Sequence, residues 1–398
     1  MNLLLAFAIT LVVAVLISNI AERSVLSVAV FFLGAGMLLG TRVFGTIPQA
    51  NSAVLRTLAE IALFSVLFTD GMRTGGIREI RSHWHYPGRA LLIGMPLTIA
   101  GIALLAYFLV GLSWPAAFLI GAVMSPTDPV FVSSIFRFDA VPERLKRLLN
   151  IESGLNDGLA LPVIVLLLAH LSAGGQNTLQ AFTDLALGGA VGVGISWLVV
   201  SAERLRVFGA AGIYKPLSAF SAGLMVLALC YVIHANLFIG AFTAGVTIAT
   251  VSRESRESFE QFGEVVAELF KLAALLVFGA VIEPHLFQPL PAAQWIFVVL
   301  AVFGVRFAAV PLSLLGTGMD WKETLAAGWF GPKGFASMVY GLLILSYGLT
   351  HIAHLVGLMV VISIAVYSST DILVGRWFES HEKKPLPQPE TGEPADSA

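Results

Sequence analysis

Apolar runs of about twenty residues recur along this chain, and the short connections between them hold most of its charge. A helix needs that length to cross a membrane, and inside lipid each segment must satisfy its own backbone hydrogen bonds. The expected fold class is an all-α polytopic membrane protein. Composition agrees: 12% of residues are charged and 57% are hydrophobic, where a soluble domain carries about 25% charged residues. The single Cys230 excludes an internal disulfide and a cysteine metal cluster. The net charge of −2 identifies no partner, and no nucleic acid is expected. Met1-Asn2 leads straight into leucines without a basic n-region, so the first run is expected to be a retained helix rather than a cleaved signal.

Thirteen spans are expected, at 3–20, 25–40, 53–72, 89–111, 114–135, 146–170, 178–201, 215–234, 236–252, 264–282, 292–315, 321–348 and 351–374. The basic residues test this count independently. Of the 23 Lys and Arg, 18 lie in odd-numbered connections or the C-terminal segment. The positive-inside rule then places the C-terminus in the cytoplasm and the N-terminus outside, in a multi-pass protein of the plasma membrane. Residues 253–264, charged but with Phe259 and Phe262 three apart, suit an interfacial helix or a solvated linker. The polar, proline-rich stretch 376–398 is expected to be a disordered cytoplasmic tail.

Two acids sit where lipid should forbid them, Asp128 and Asp157. A charge at the bilayer centre costs at least ~3 kcal/mol, so such residues usually face a cavity and bind something. Asp128 lies between Pro126 and Pro129, where no helix runs unbroken. The expected topology sets Asp128 about 10 Å from the cytoplasmic end of the fifth span, and Asp157 near the midplane of the sixth. Ser153 and Asp157 share one helix face, and Glu152 and Asn156 share the next. Monovalent cations want oxygen ligands. The two carboxylates, the Ser153 hydroxyl and carbonyls freed at the Thr127 break could supply them. Asn156 reads equally as ligand or as orienting partner. The plainer readings make Asp128 a half-helix cap and Asp157 a scaffold hydrogen-bond acceptor.

The second half has its own break, Gly328-Trp329-Phe330-Gly331-Pro332-Lys333-Gly334. One broken helix per half points to an inverted repeat, with substrate where the two breaks cross. Lys333 there neutralises half-helix dipoles, or snorkels. Arg306, deep in its span, needs an acidic partner, and Glu152 at similar depth is the economical choice, as a structural pair. Asp70 reads as a funnel residue or a helix-end cap. Lys271, three residues after Glu268, reads as paired or snorkelling. His83 and His85 sit in a loop, and no set of His and Cys has metal-ligand spacing.

The motifs Ser-Pro-Thr-Asp-Pro (125–129), Val-Pro-Glu-Arg-Leu (141–145) and Ile-Glu-Ser-Gly-Leu-Asn-Asp-Gly (151–158) resemble monovalent cation/proton antiporters of the NhaP-like sodium/proton exchanger group. The Leu-Phe-Thr-Asp-Gly-Met-Arg-Thr stretch around Asp70, Arg306 and Trp-Phe-Gly-Pro-Lys-Gly (329–334) are similar too, although Arg is the commoner residue there where this chain has Lys333. The resemblance covers about residues 1–375. It implies an inverted-repeat antiporter fold with two crossed broken helices, a homodimer, and a core (about 89–170 and 292–374) moving against a dimerisation scaffold (about 1–72 and 178–282). By matching position, Asp157 would be the shared cation and proton carboxylate, with Thr127, Asp128, Ser153 and Asn156 around it. The Asn156-Asp157 pair resembles the electroneutral branch.

The function expected is secondary antiport of a monovalent cation, Na⁺ first with K⁺ or Li⁺ as alternatives, against H⁺. It needs no cofactor beyond the transported ions, is not enzymatic, and has membrane lipid as surroundings. Cation and proton compete for one carboxylate, and either neutralises it. A sodium-coupled solute symporter is the nearer rival. An intramembrane aspartyl protease is the remote one, because the residues before Asp128 and Asp157 do not resemble its motifs.

Overall fold

A computed structural model describes residues 3–23, 28–40, 52–128, 140–171, 178–203, 205, 212–281 and 290–379. Among these the chain is all-helical. The elements are α1 Leu3–Arg23, α2 Val28–Leu39, α3 Ser52–Arg73, α4 Gly76–Ser82, α5 His85–Val110, α6 Trp114–Val123, α7 Glu143–Leu171, α8 Thr178–Glu203, α9 Lys215–Val232, α10 Leu237–Val251, α11 Arg253–Val281, α12 Ala292–Ser313, α13 Trp321–Trp329, α14 Phe335–Ser346 and α15 Thr350–Glu379. Counting α13 and α14 as two halves of one pass, and α4 as a connector, gives thirteen passes among the described residues.

Three boundaries differ from expectation. The charged stretch 253–264 is helical rather than a linker, and it forms the first turns of α11, which runs on through the expected tenth span. Within it Arg253 pairs with Glu257 at 2.6 Å, while Glu254 pairs with Lys215 and Glu264 with Arg73. The short helix α4 fills a connection expected to be loop. At the C-terminus α15 runs to Glu379, past the expected start of the tail; the rest of that tail, and residues 129–135 of the fifth span, lie outside the described residues.

The helices pack in two groups. In one, α3 lies between α10 and α11, with α2 on α11 and α8 and α9 against α10. Small residues allow this close approach. A Cβ on Gly71 would come within 2.5 Å of the Phe242 carbonyl, so α3 and α10 meet backbone to backbone. In the other group, α5 packs on α6 and α12, α7 on α6, α12 on α13, and α14 on α15. The groups touch where α7 meets α3, α8 and α10, and where α14 meets α3 and α11.

Both helices that precede a broken pass carry a wide i→i+5 turn, at Ala106–Val110 in α5 and Leu300–Gly304 in α12. Such turns reset the phase of the side chains beyond them. Arg306 lies two residues past the second.

Candidate functional site

The pass that begins as α6 stops at Val123, and residues 126–128 are irregular. The α13–α14 pass is interrupted between Trp329 and Phe335. The two interruptions meet. The Asp128 amide donates to the Pro332 carbonyl at 3.0 Å, and the Phe335 amide donates to Asp128 Oδ2 at 3.3 Å. Ser337 Oγ, in the first turn of α14, donates to the Val123 carbonyl at 2.8 Å. Each break thus satisfies polar groups that the other leaves orphaned. Asp128 also places its charge at the positive end of α14. Gly334 is needed here, because a Cβ would collide with the Asp128 side chain. Asp128 therefore caps a half-helix, in line with its plainer reading, and also lines a cavity.

That cavity lies between the two helix groups. Asp128, Ser153, Asp157, Phe335 and Ala336 form one wall; Thr69, Asp70, Arg73, Glu264, Glu268 and Lys271 form most of the other. About 50 Å³ of it is free for solvent. One water needs on the order of 10–15 Å³ by that measure, so the space suits a cation with a few waters. Asp157 is 7% exposed and has no hydrogen-bond or ion-pair partner among the described residues.

Thr127 organises the floor beneath it. Its carbonyl accepts from Ser153 Oγ at 2.7 Å and from Asn156 Nδ2 at 3.3 Å. Its hydroxyl accepts from the same Asn156 nitrogen at 2.8 Å. Thr127 and Asn156 thus face each other rather than the cavity, while Ser153 faces both. Donating its hydrogen to Thr127 leaves the Ser153 oxygen lone pairs for a cation. Asn156 Oδ1 is buried without a partner among the described residues, an oxygen that a modest rotation would offer. Among those residues no three His, Cys, Asp or Glu side chains converge closely enough to hold a resident metal. The oxygens line a wall rather than forming a cage.

One turn before Asp157, Glu152 meets Arg306 in a bidentate pair, Nη1–Oε1 at 2.7 Å and Nη2–Oε2 at 3.0 Å. Both side chains are at most 4% exposed. Arg306 Nη2 also donates to the Phe330 carbonyl at 3.1 Å and to Ala327 at 3.4 Å. The guanidinium therefore satisfies the C-terminal end of α13, where a broken helix leaves bare carbonyls. Lys333 is wholly buried, so its side chain does not snorkel. Its amide donates to Ser363 Oγ at 2.7 Å, and its ammonium has no hydrogen-bond partner among the described residues.

Asp70 lines the cavity, with Arg73 3.8 Å away. The opposite wall holds residues that sequence reasoning does not assign to the site. Arg73 meets Glu264 at 2.9 Å, and Lys271, 4% exposed, meets Glu268 at 2.7 Å. A signal exists: Glu264, Glu268 and Lys271 fall at i, i+4 and i+7 on one face of α11. His83 lies in the connection after α4 and His85 at the start of α5, away from this cavity.

A family model described as sodium/hydrogen exchanger, transmembrane, matches residues 7–375. A K⁺/H⁺ antiporter NhaP of Alkalimonas amylolytica is 28% identical over 390 residues, covering 94% of this chain and 67% of that protein. A K⁺/H⁺ antiporter NhaP2 of Shewanella oneidensis is 24% identical, covering 86% of this chain and 60% of that one. A Na⁺/H⁺ antiporter ApNhaP of Aphanothece halophytica is 28% identical, over 63% of this chain and 51% of that protein. The chain thus spans about three fifths to two thirds of the length of the first two of these relatives. The fold matches the solved sodium proton antiporter MjNhaP1 of Methanocaldococcus jannaschii with a TM-score of 0.74, at 18% identity, over 95% of this chain and 97% of that one.

Proposed function

The chain belongs to the sodium/hydrogen exchanger family, and from that premise we propose that it is a secondary antiporter exchanging a monovalent alkali cation for H⁺. The observation that carries this reading is Asp157, an unpartnered acid in a solvent-sized cavity walled by both helix groups. A carboxylate without a fixed counter-charge takes either a proton or a cation, never both. Occupied, it is neutral and can be carried past lipid and apolar packing. Empty, it is a bare charge whose transfer out of the aqueous cavity is costly.

In this scheme Asp157 is the exchanging ligand, Asp128 and Ser153 complete the cation's oxygen shell, and Thr127 and Asn156 hold Ser153 and the break in register. Glu152 and Arg306 are structural. Residues 89–170 and 292–374 move against 1–72 and 178–282, and two copies associate through the latter. The N-terminus is outside and the C-terminus is cytoplasmic. Sodium is the first expectation for the cargo. The first two relatives are named for potassium and the third for sodium, so the two ions are tested side by side.

The experiment is dequenching of a pH dye in proteoliposomes on adding Na⁺, K⁺ or Li⁺. Antiport predicts proton movement with at least one ion and no response from a potential-sensitive dye, since one cation replaces one proton. Proton movement that requires an organic solute would replace this reading with symport. A potential change on cation addition would overturn the one-for-one exchange.

A further inference from the structure

A second cavity, of about 680 Å³, opens at the Arg73 end of the bundle. It falls within the roughly 300–1,000 Å³ typical of small-ligand sites. Five guanidinium groups line it, from Arg73, Arg78, Arg147, Arg253 and Arg256, against the single carboxylate of Glu79. They come from four separate elements: α3, α4, α7 and α11. A bias of basic residues toward one membrane face explains their sign but not their convergence into one concavity.

Their internal pairing is incomplete. Arg253 is held by Glu257 at 2.6 Å, and Arg73 by Glu264 at 2.9 Å. Arg256 reaches Glu257 only at 3.9 Å, and its Nε is buried without a hydrogen-bond partner among the described residues. Arg78 and Arg147 have no ion pair among those residues. Arg147 Nη1 lies 3.2 Å from His83 Nε2. Guanidinium groups gathered without matching carboxylates repel one another, and a multivalent anion relieves that. Their planar forks fit phosphate oxygens in pairs.

We propose that this cavity binds a phosphate-bearing anion, held chiefly by Arg78, Arg147 and Arg256. Its position matters, because Arg73 lines both this cavity and the one containing Asp157. A phosphate bound here competes with Asp70 and Glu264 for that guanidinium. A free phosphate and a lipid headgroup share the same recognition chemistry, and the test has an arm for each.

The purified full chain is titrated with pyrophosphate in detergent at fixed ionic strength, with melting temperature as the readout. In parallel, the chain is melted in nanodiscs of phosphatidylcholine with and without phosphatidic acid. Saturable stabilisation by pyrophosphate identifies a soluble phosphate; stabilisation by phosphatidic acid alone identifies a headgroup. In either case the Arg78→Gln/Arg147→Gln variant should bind at least tenfold more weakly, since each charge-assisted hydrogen bond is worth about tenfold in affinity. Its cation-driven proton movement should stay unchanged, and its unliganded melting temperature should hold or rise as guanidinium repulsion is relieved. Glu79→Gln, which removes the opposing carboxylate, should tighten binding and serves even if the double variant folds poorly. No stabilisation in either arm, or stabilisation indifferent to all three substitutions, overturns the proposal. Binding is read without transport, so neither result bears on antiport itself.

Discussion

Glu152 and Asp157 stand five residues apart on α7 and could hardly be treated more differently. Five residues turn a helix by roughly 140° beyond a full turn, so one carboxylate faces α12 and the other the cavity. Glu152 is gripped by both arms of Arg306. Asp157 is gripped by nothing among the described residues, although it is nearly as buried. A buried acid with a fixed guanidinium partner has its charge settled for good. A buried acid without one stays open to whatever small cation arrives. On the proposed reading, two carboxylates of similar depth divide into a fastening and an exchange point by partner alone.

The sharpest test of that division is Asp157→Asn, which keeps the shape and removes the exchangeable charge. Cation-driven proton movement should vanish while melting temperature holds or rises, because a lone buried charge has gone. Residual exchange above roughly a tenth of normal would move the role to Asp128.

Glu152→Gln and Arg306→Gln should behave in the opposite way. Each strands a buried charge, at a typical cost of ~3–5 kcal/mol. Each should therefore lower melting temperature and yield more than it alters apparent cation affinity. The double neutral variant should recover part of the loss, since no lone charge remains. Purely additive losses would mean the pair is not coupled, and the contrast with Asp157 would collapse.

Asp128 lies between the two extremes, committed to Phe335 and still lining the cavity. Gly334→Ala pushes a methyl against it. Overpacking of this kind costs about 1–3 kcal/mol, so a modest fall in melting temperature should accompany a larger fall in cation affinity. Lost stability with unchanged affinity would assign Asp128 wholly to the scaffold.

Much of the architecture is legible in local pattern. Run length locates the passes, and Pro126 and Pro332 fall at the interruptions, where proline denies the helix an amide, although Pro162 and Pro311 lie within continuous helices. The first turns of α11 escape that pattern for a physical reason. Residues 253–264 look solvated by their charge, yet the Arg253–Glu257 pair supports a helix that continues into the apolar stretch that follows. The far wall of the cavity is hidden differently. Arg73 and Glu264 lie 191 positions apart in sequence, and only packing of α3 on α11 brings them beside Asp70. Thr127 reads in sequence as a source of bare carbonyl, whereas in the fold Ser153 and Asn156 already occupy that oxygen.

The bond from the Phe335 amide to Asp128 has a practical consequence for anyone redesigning the chain toward another alkali ion. A residue that seats the first turn of α14 cannot be changed for its ligand chemistry alone, because the same edit loosens the helix beneath it. Randomising Asp128 removes a charge-assisted hydrogen bond worth about 1.5–3 kcal/mol along with any ligand role, so stability and ion choice change together. On the proposed scheme the gentler handle is Ser153, whose oxygen reaches the cavity from the middle of a continuous helix. Ser153→Thr keeps the hydroxyl whose hydrogen the Thr127 carbonyl accepts at the break and adds a single methyl beside the proposed ion site.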